Sequence, residues 1–278
     1  MFDFNCLLDG SLKYNFHSHT QFCDGRAPME QFAAEAVRRG FTHYGFSPHS
    51  PIAIPSPCNM KTSDVPLYLD EVARLRHVHR ASGTRFLASM EIDFLSRSHG
   101  PACAYFQDLP LDYRIGSVHF IPSQSGEYID VDGHFDRFRD NMSRHFRNDI
   151  RYVVNTFFDQ NLEMLSAGGF DMIGHYDKIG QNASYFQPGI ENEGWYVDRL
   201  EELTRAVIAS GVTVEINTKA FVEHHRFFPS PSQLPALLDA GVPIVVNSDA
   251  HRPELIDASR DEAFAILDRQ RRASSSKQ

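Results

Sequence analysis

Histidines and carboxylates recur in this sequence at spacings that suit a metal ion. The clearest case is His17-Ser18-His19, near the N-terminus. Leu12, Tyr14 and Phe16 alternate with polar residues before it, so the segment reads as the end of a short strand. On a strand, residues i and i+2 share a face, and imidazole is the commonest metal ligand. Asp249-Ala250-His251 repeats that spacing. His77-Val78-His79 has it too, but in a helical pattern, where the two rings stand about 200° apart around the axis and cannot easily grip one ion.

The elements that carry these residues can be read in order. A turn at Asp24-Gly25 leads to a helix over 29–39, a strand over 42–46 ending at Ser47-Pro48-His49, and a proline-rich loop over 50–63. A helix over 65–81 precedes a strand over 85–94 that carries Glu91. Residues 96–110 read as irregular, and 113–120 as a strand with Ser117 and His119. A largely helical stretch over 134–167 ends at Gly168-Gly169, and a strand over 171–175 ends in His175. Helices over 191–210, 232–240 and 253–272 alternate with strands over 212–217 and 244–247, and a polar tail over 273–278 reads as frayed. About seven strands alternating with helices imply a parallel α/β sheet. That number over this length favours a closed (β/α)7 barrel over an open doubly wound sheet, in one domain spanning residues 1–278.

Ligand-type residues recur at the ends of the predicted strands: His17 and His19, His49, Glu91, His119, His175, Glu215 with Asn217, and Asp249 with His251. The carboxyl ends of parallel barrel strands share one face, where active sites are built. Histidine with carboxylate and no cysteine suits Zn, Mn or Fe. The donors outnumber those of one tetrahedral ion, and a carboxylate such as Glu91 can bridge two. Clustered divalent ions recur in phosphoester hydrolysis.

Composition narrows the alternatives. A net charge of −9 without a Lys/Arg block argues against nucleic-acid binding through a basic surface. No apolar run approaches the roughly 20 residues of a membrane span, so no membrane association is expected. Met1 to Gly10 has no basic n-region, so it does not read as a signal peptide. Cys6, Cys23, Cys58 and Cys103 show no CxxC spacing and read as free thiols of a cytoplasmic protein.

The motifs His17-Ser18-His19-Thr20, Asp24-Gly25, Ser47-Pro48-His49, Met90-Glu91, Ile115-Gly116-Ser117-Val118-His119, Ile173-Gly174-His175, Glu215-Ile216-Asn217-Thr218 and Ser248-Asp249-Ala250-His251 together resemble the polymerase and histidinol phosphatase (PHP) superfamily, in particular its histidinol-phosphate phosphatases. The resemblance implies a distorted (β/α)7 TIM-like barrel with three divalent ions. One would be held by His17, His19, Glu91 and Asp249, a second by Glu91, His119 and His175, and the third by Asp24, His49 and His251. It also implies hydrolysis of L-histidinol phosphate, in histidine biosynthesis, by a metal-bridging hydroxide, with Asp24, Glu91 and Asp249 in the catalytic set. The phosphatases of this kind carry an arginine soon after the Asn-Thr pair; here Lys219 and Arg226 are the cations available, with Ser117 a further substrate-binding candidate. His225 is a candidate proton donor to the leaving alcohol. The rival readings are a PHP phosphoesterase for another small phosphate or a nucleotide, and a noncatalytic PHP module.

Overall fold

The computed structural model describes residues 2–4 and 10–275. Ten strands occur among them: β1 (Tyr14–Asn15), β2 (His43–Phe46), β3 (Arg85–Ala88), β4 (Glu91–Asp93), β5 (Ile115–Ser117), β6 (Phe120–Pro122), β7 (Tyr128–Asp130), β8 (Met172–Ile173), β9 (Thr213–Asn217) and β10 (Ile244–Asn247). Two parallel sheets, in the orders β1-β2-β3 and β10-β9-β8-β5-β4, carry all but β6 and β7. Isolated parallel bridges join the sheets at both sides, Ser18 to Ala250 and His49 to Glu91. The circuit is thereby closed into seven staves, the third divided between β3 and β4. β9 and β10 are buried along their whole length, as staves with the core on one side and helices on the other must be.

The division of the third stave corrects the single strand expected over 85–94. At Ser89 the backbone N–H donates to Phe46 O, at 2.9 Å, and the chain changes partners, from β2 to β5. The strand expected over 113–120 is likewise shorter. After β5 the chain turns into an antiparallel β6–β7 hairpin, not anticipated, that closes through Ser123–Gly126. The helical stretch after it is two helices, Phe135–His145 and Ile150–Ala167, broken where Arg147 and Asn148 adopt positive φ. Asp149 caps the second by accepting from Tyr152 N, at 2.9 Å. The helix Ile179–Phe186 was not expected, and the following one begins at Gly194. The last helix, Arg260–Ser275, starts later than the periodicity suggested, after a 3-10 turn at Pro253–Leu255. It carries into the stretch read as a frayed tail; residues 276–278 of that tail, and Cys6, lie outside the described residues.

The helices pack outside the staves through apolar stripes. Ile150, Val153, Val154, Phe157, Phe158 and Met164 form one such face. Within it Gln160 donates to Phe94 O and Phe120 O, at 2.6 and 2.7 Å. Those carbonyls lie one residue beyond Asp93 and His119, so this helix fixes the strand ends that matter for the site. Arg260 plays the corresponding part near the chain ends. It is buried, bonded to Asp257, Leu12 O and Val246 O, and stacked over Tyr14, Phe41 and Phe264. No helix among the described residues is long and apolar enough to cross a membrane.

Candidate metal centre

All nine predicted ligands converge at the carboxyl ends of the staves. Four sets of donor atoms lie within 4.8 Å of one another: His17, His19 and Asp249; Glu91, His119 and His175; His19, Asp24, His49 and His251; and His49, Asp93 and His119. The second is the set implied by the sequence resemblance; the first holds His17, His19 and Asp249 of its implied set without Glu91, and the third adds His19 to Asp24, His49 and His251. His19 also belongs to the third set, because its Nε2 lies 3.0 Å from Asp249 Oδ1 while its Nδ1 faces Asp24, at 3.5 Å.

Glu91 is the hub. Its Oε1 lies 2.9 Å from His175 Nε2 and 3.4 Å from His119 Nε2. Its Oε2 lies 3.3, 3.5 and 3.1 Å from ring nitrogens of His17, His19 and His49. The two oxygens therefore address different histidine sets, which is the placement a bridging ligand needs. Glu91 opens β4, immediately past the point where the third stave changes sheets, so the break in the stave is what brings it between the sets.

Two carboxylates behind the histidines fix which nitrogen faces the cluster. His17 Nδ1 lies 2.9 and 3.1 Å from the Glu215 oxygens, and His119 Nδ1 lies 2.6 Å from Asp93 Oδ1. With Nδ1 engaged, Nε2 of each ring is left for an ion. Glu215 also accepts from Asn217 and Asn247 side chains and from His175 N; Asp93 accepts from Asn59, at 2.8 Å. Sequence reasoning noted Glu215 only as a strand-end carboxylate and overlooked Asp93. Glu91-Ile92-Asp93 has the same i, i+2 spacing as His17-Ser18-His19, and that signal could have found it.

Turn geometry supplies the rest. Cys23 N and Gly25 N donate to Thr20 O, swinging Asp24 over the site. A Cβ at residue 25 would lie 2.2 Å from Thr20 N, so only glycine fits. His175 and Asp249 have φ of +20° and +47°, a strained backbone of the kind that collects at functional sites.

The electrostatics are those of a site made for cations. Burial opposes ionisation of Glu91, Asp249 and Asp24, yet facing histidines (with Lys219 in the case of Asp249) hold all three well below the usual carboxylate range. Burial also opposes protonation of His17, but Glu215, Glu91 and Asp249 overcome it and raise its pKa well above normal. Asp93 and Glu91 do the same for His119. His19, buried and flanked by His251 and His49, is driven well below normal. The donors fit divalent metal. Ring nitrogens face each other at 3.3 Å (His17 and His19) and 3.4 Å (His119 and His175); buried Asp24 Oδ1 has no hydrogen-bond partner, and His49 Nδ1 makes no hydrogen bond although Glu91 Oε2 lies 3.1 Å away. Such orphans are costly unless something binds them.

The remaining candidates are placed as follows. Lys219 Nζ lies 3.4 Å from Asp249 Oδ1 and 3.3 Å from His251 Nε2. Arg226 does not reach the cluster; its guanidinium is taken up by Glu191, at 3.0 and 2.5 Å, and by Ser184. Ser117 is buried with its hydroxyl unpartnered. His225 is exposed, its ring edge-on to Phe221. His77 and His79 stay outside the cluster, at the end of the helix Val65–Val78.

Asp93→Asn and Glu215→Gln are expected to weaken metal binding by roughly 10- to 100-fold, as loss of such orienting carboxylates does. Zinc titration against a competing chelator measures this, and unchanged affinity in both would show that the carboxylates do not orient the ligands.

A parallel barrel whose mouth pools six histidines, two aspartates and a shared glutamate presents donor groups that could hold metal ions. The chain belongs to the PHP domain family, whose sequence profile matches residues 15–219. A Deinococcus radiodurans protein named a probable histidinol-phosphatase is 24% identical over 246 residues, 85% of each chain. The histidinol-phosphatase of Bacillus subtilis is 26% identical over 134 residues, 44% of this chain and 50% of its own. Among solved structures, a Listeria monocytogenes HisK aligns with a TM-score of 0.77 at 17% identity, covering 90% of this chain and 99% of that one. The HisK of Lactococcus lactis, solved with Zn, L-histidinol and phosphate, aligns at 0.63 with 17% identity, covering 93% of each. At these identities the two structures speak for the fold.

Proposed function

We propose that the protein is a metal-dependent phosphomonoesterase that hydrolyses L-histidinol phosphate to L-histidinol and phosphate. The observation that carries the phosphoesterase reading is Glu91 set between two histidine groups, one on each oxygen. The histidinol-phosphatase names of the relatives support the substrate. Three divalent ions, Zn, Mn or Fe, fit the donor set. When bound they would lower the pKa of water and neutralise charge on the phosphoryl oxygens. The residues of the chain then have separate tasks. His17, His19, Glu91 and Asp249, then Glu91, His119 and His175, then Asp24, His49 and His251 hold the ions. Glu215 and Asp93 orient His17 and His119, and Lys219 offers a phosphoryl oxygen a positive charge.

The position of Arg226 favours keeping a second reading, a PHP phosphoesterase for a different small phosphate ester. The arginine expected at the phosphate is bound to Glu191 instead. A panel of phosphate esters, assayed with metal-replete protein, separates the two. L-histidinol phosphate should give the highest kcat/KM, and Lys219→Met should lower it more than Arg226→Met, because Arg226 is held by Glu191. Preference for a nucleotide or sugar phosphate would move the protein to the second reading. No hydrolysis of any ester would favour a noncatalytic module.

A further inference from the structure

Lys219 borders the cluster on its Asp249 and His251 side. A second cation, Lys178, borders it on the other. Lys178 N donates to His175 O at 2.9 Å, so the residue lies one turn beyond a ligand of the second set. Its Nζ is 2.7 Å from Asp132 Oδ2, and its side chain is 15% exposed. Asp132 is itself placed by the other histidine of that set, since Val131 N donates to His119 O at 2.9 Å. The pair therefore stands against His119 and His175 together. It is not needed to tie the two segments to each other. Asn182 already does so, donating to Val131 O and Gly133 O at 3.1 and 3.0 Å.

The ammonium is held charged. Burial opposes that, but the Asp132 carboxylate 2.7 Å from its Nζ outweighs it. An ammonium has three donors, and Asp132 is its one hydrogen-bond partner among the described residues. A phosphoryl group spreads negative charge over three oxygens as its ester bond breaks. Neutralising it from one side only would leave the far oxygen to the ions alone.

Resting on the phosphoesterase reading, we infer that Lys178 is a second phosphate-binding residue, which takes a phosphoryl oxygen on the His119 and His175 side of the centre while Asp132 holds it in position. Lys178 comes from the turn after β8, not from the segment after Asn217-Thr218 where the sequence resemblance places a phosphate-binding cation.

The test is binding of inorganic phosphate to metal-replete protein by titration calorimetry, with elemental analysis and thermal melting on each variant. Lys178→Met should weaken phosphate binding by roughly tenfold or more, the effect of one charge-assisted hydrogen bond. Metal content should be unchanged, and Lys178→Arg should recover part of the loss. Asp132→Asn should show a smaller loss with Lys178 still present. Wild-type phosphate affinity in Lys178→Met, with a lowered melting temperature, would overturn the inference and make the pair a strut for the loop after β7. Should Lys178→Met not fold, unchanged phosphate affinity in Asp132→Asn overturns it equally. If metal-replete wild-type protein binds no phosphate, the phosphoesterase reading falls and this inference falls with it. Binding by wild type and variants alike removes this inference alone.

Discussion

Glu91→Gln is expected to lower turnover by roughly a thousandfold or more, because two neighbouring ions would lose the charge they share and with it their hold on water and phosphate. Glu91 is buried, with imidazole nitrogens from five histidines within 3.5 Å of its oxygens. Glutamine keeps the shape but removes the charge and turns one oxygen into a donor. The barrel should survive, since the Glu91 backbone bonds to Pro48 O and Ser50 N do not involve the side chain. Turnover, metal content and circular dichroism measured together decide it. A folded variant with near wild-type turnover and unchanged metal would show that Glu91 bridges nothing. His77→Ala and His79→Ala are the controls and should leave activity intact.

Stripping the metal should abolish activity, and readdition of Zn, Mn or Fe should restore it. Elemental analysis of gently purified protein should find more than one equivalent of transition metal, approaching three. Reloading should depend on pH in a defined direction. His17 and His119 have pKa values raised well above normal by the carboxylates around them. An ion must displace those protons, so apparent affinity should rise with pH through the neutral range. Competitive titrations at two pH values measure the slope. Full activity after exhaustive chelation would remove the metal reading altogether.

Eight of the nine candidate ligands were legible because each sits at the end of an expected strand and strand ends are marked by short apolar runs; the ninth, Asp24, lies in the turn after the first strand and came only with the family resemblance. Two of these marks are the i, i+2 pairs His17/His19 and Asp249/His251. What stayed hidden depends on distances between segments far apart in sequence. Asp93 could have been read from its spacing to Glu91, but that Asn59 reaches it from the proline-rich loop could not. Arg226 looked available because nothing in the sequence announces Glu191, 35 residues away, as its partner. The third stave read as one strand because its apolar pattern runs on through Ser89 and Met90, while the change of partner there is decided by β2 and β5. The break between the helices Phe135–His145 and Ile150–Ala167 falls at Arg147 and Asn148, where no glycine or proline gives warning.

The barrel closes at two seams, and both run through the ligands. Ser18, between His17 and His19, bridges to Ala250, between Asp249 and His251. His49 bridges to Glu91. Each seam is a single residue pair, where β9 and β10 share four. Ions gripped by His17, His19 and Asp249, or by Glu91 and the histidines around it, would rivet staves that the backbone alone joins weakly. A binding event that favours only the closed form stabilises it in proportion to its strength. If ions bind there, metal loading would double as quality control: a chain without them would part its seams more readily and be more open to a protease, so that the copies persisting in a cell would be enriched in those able to work.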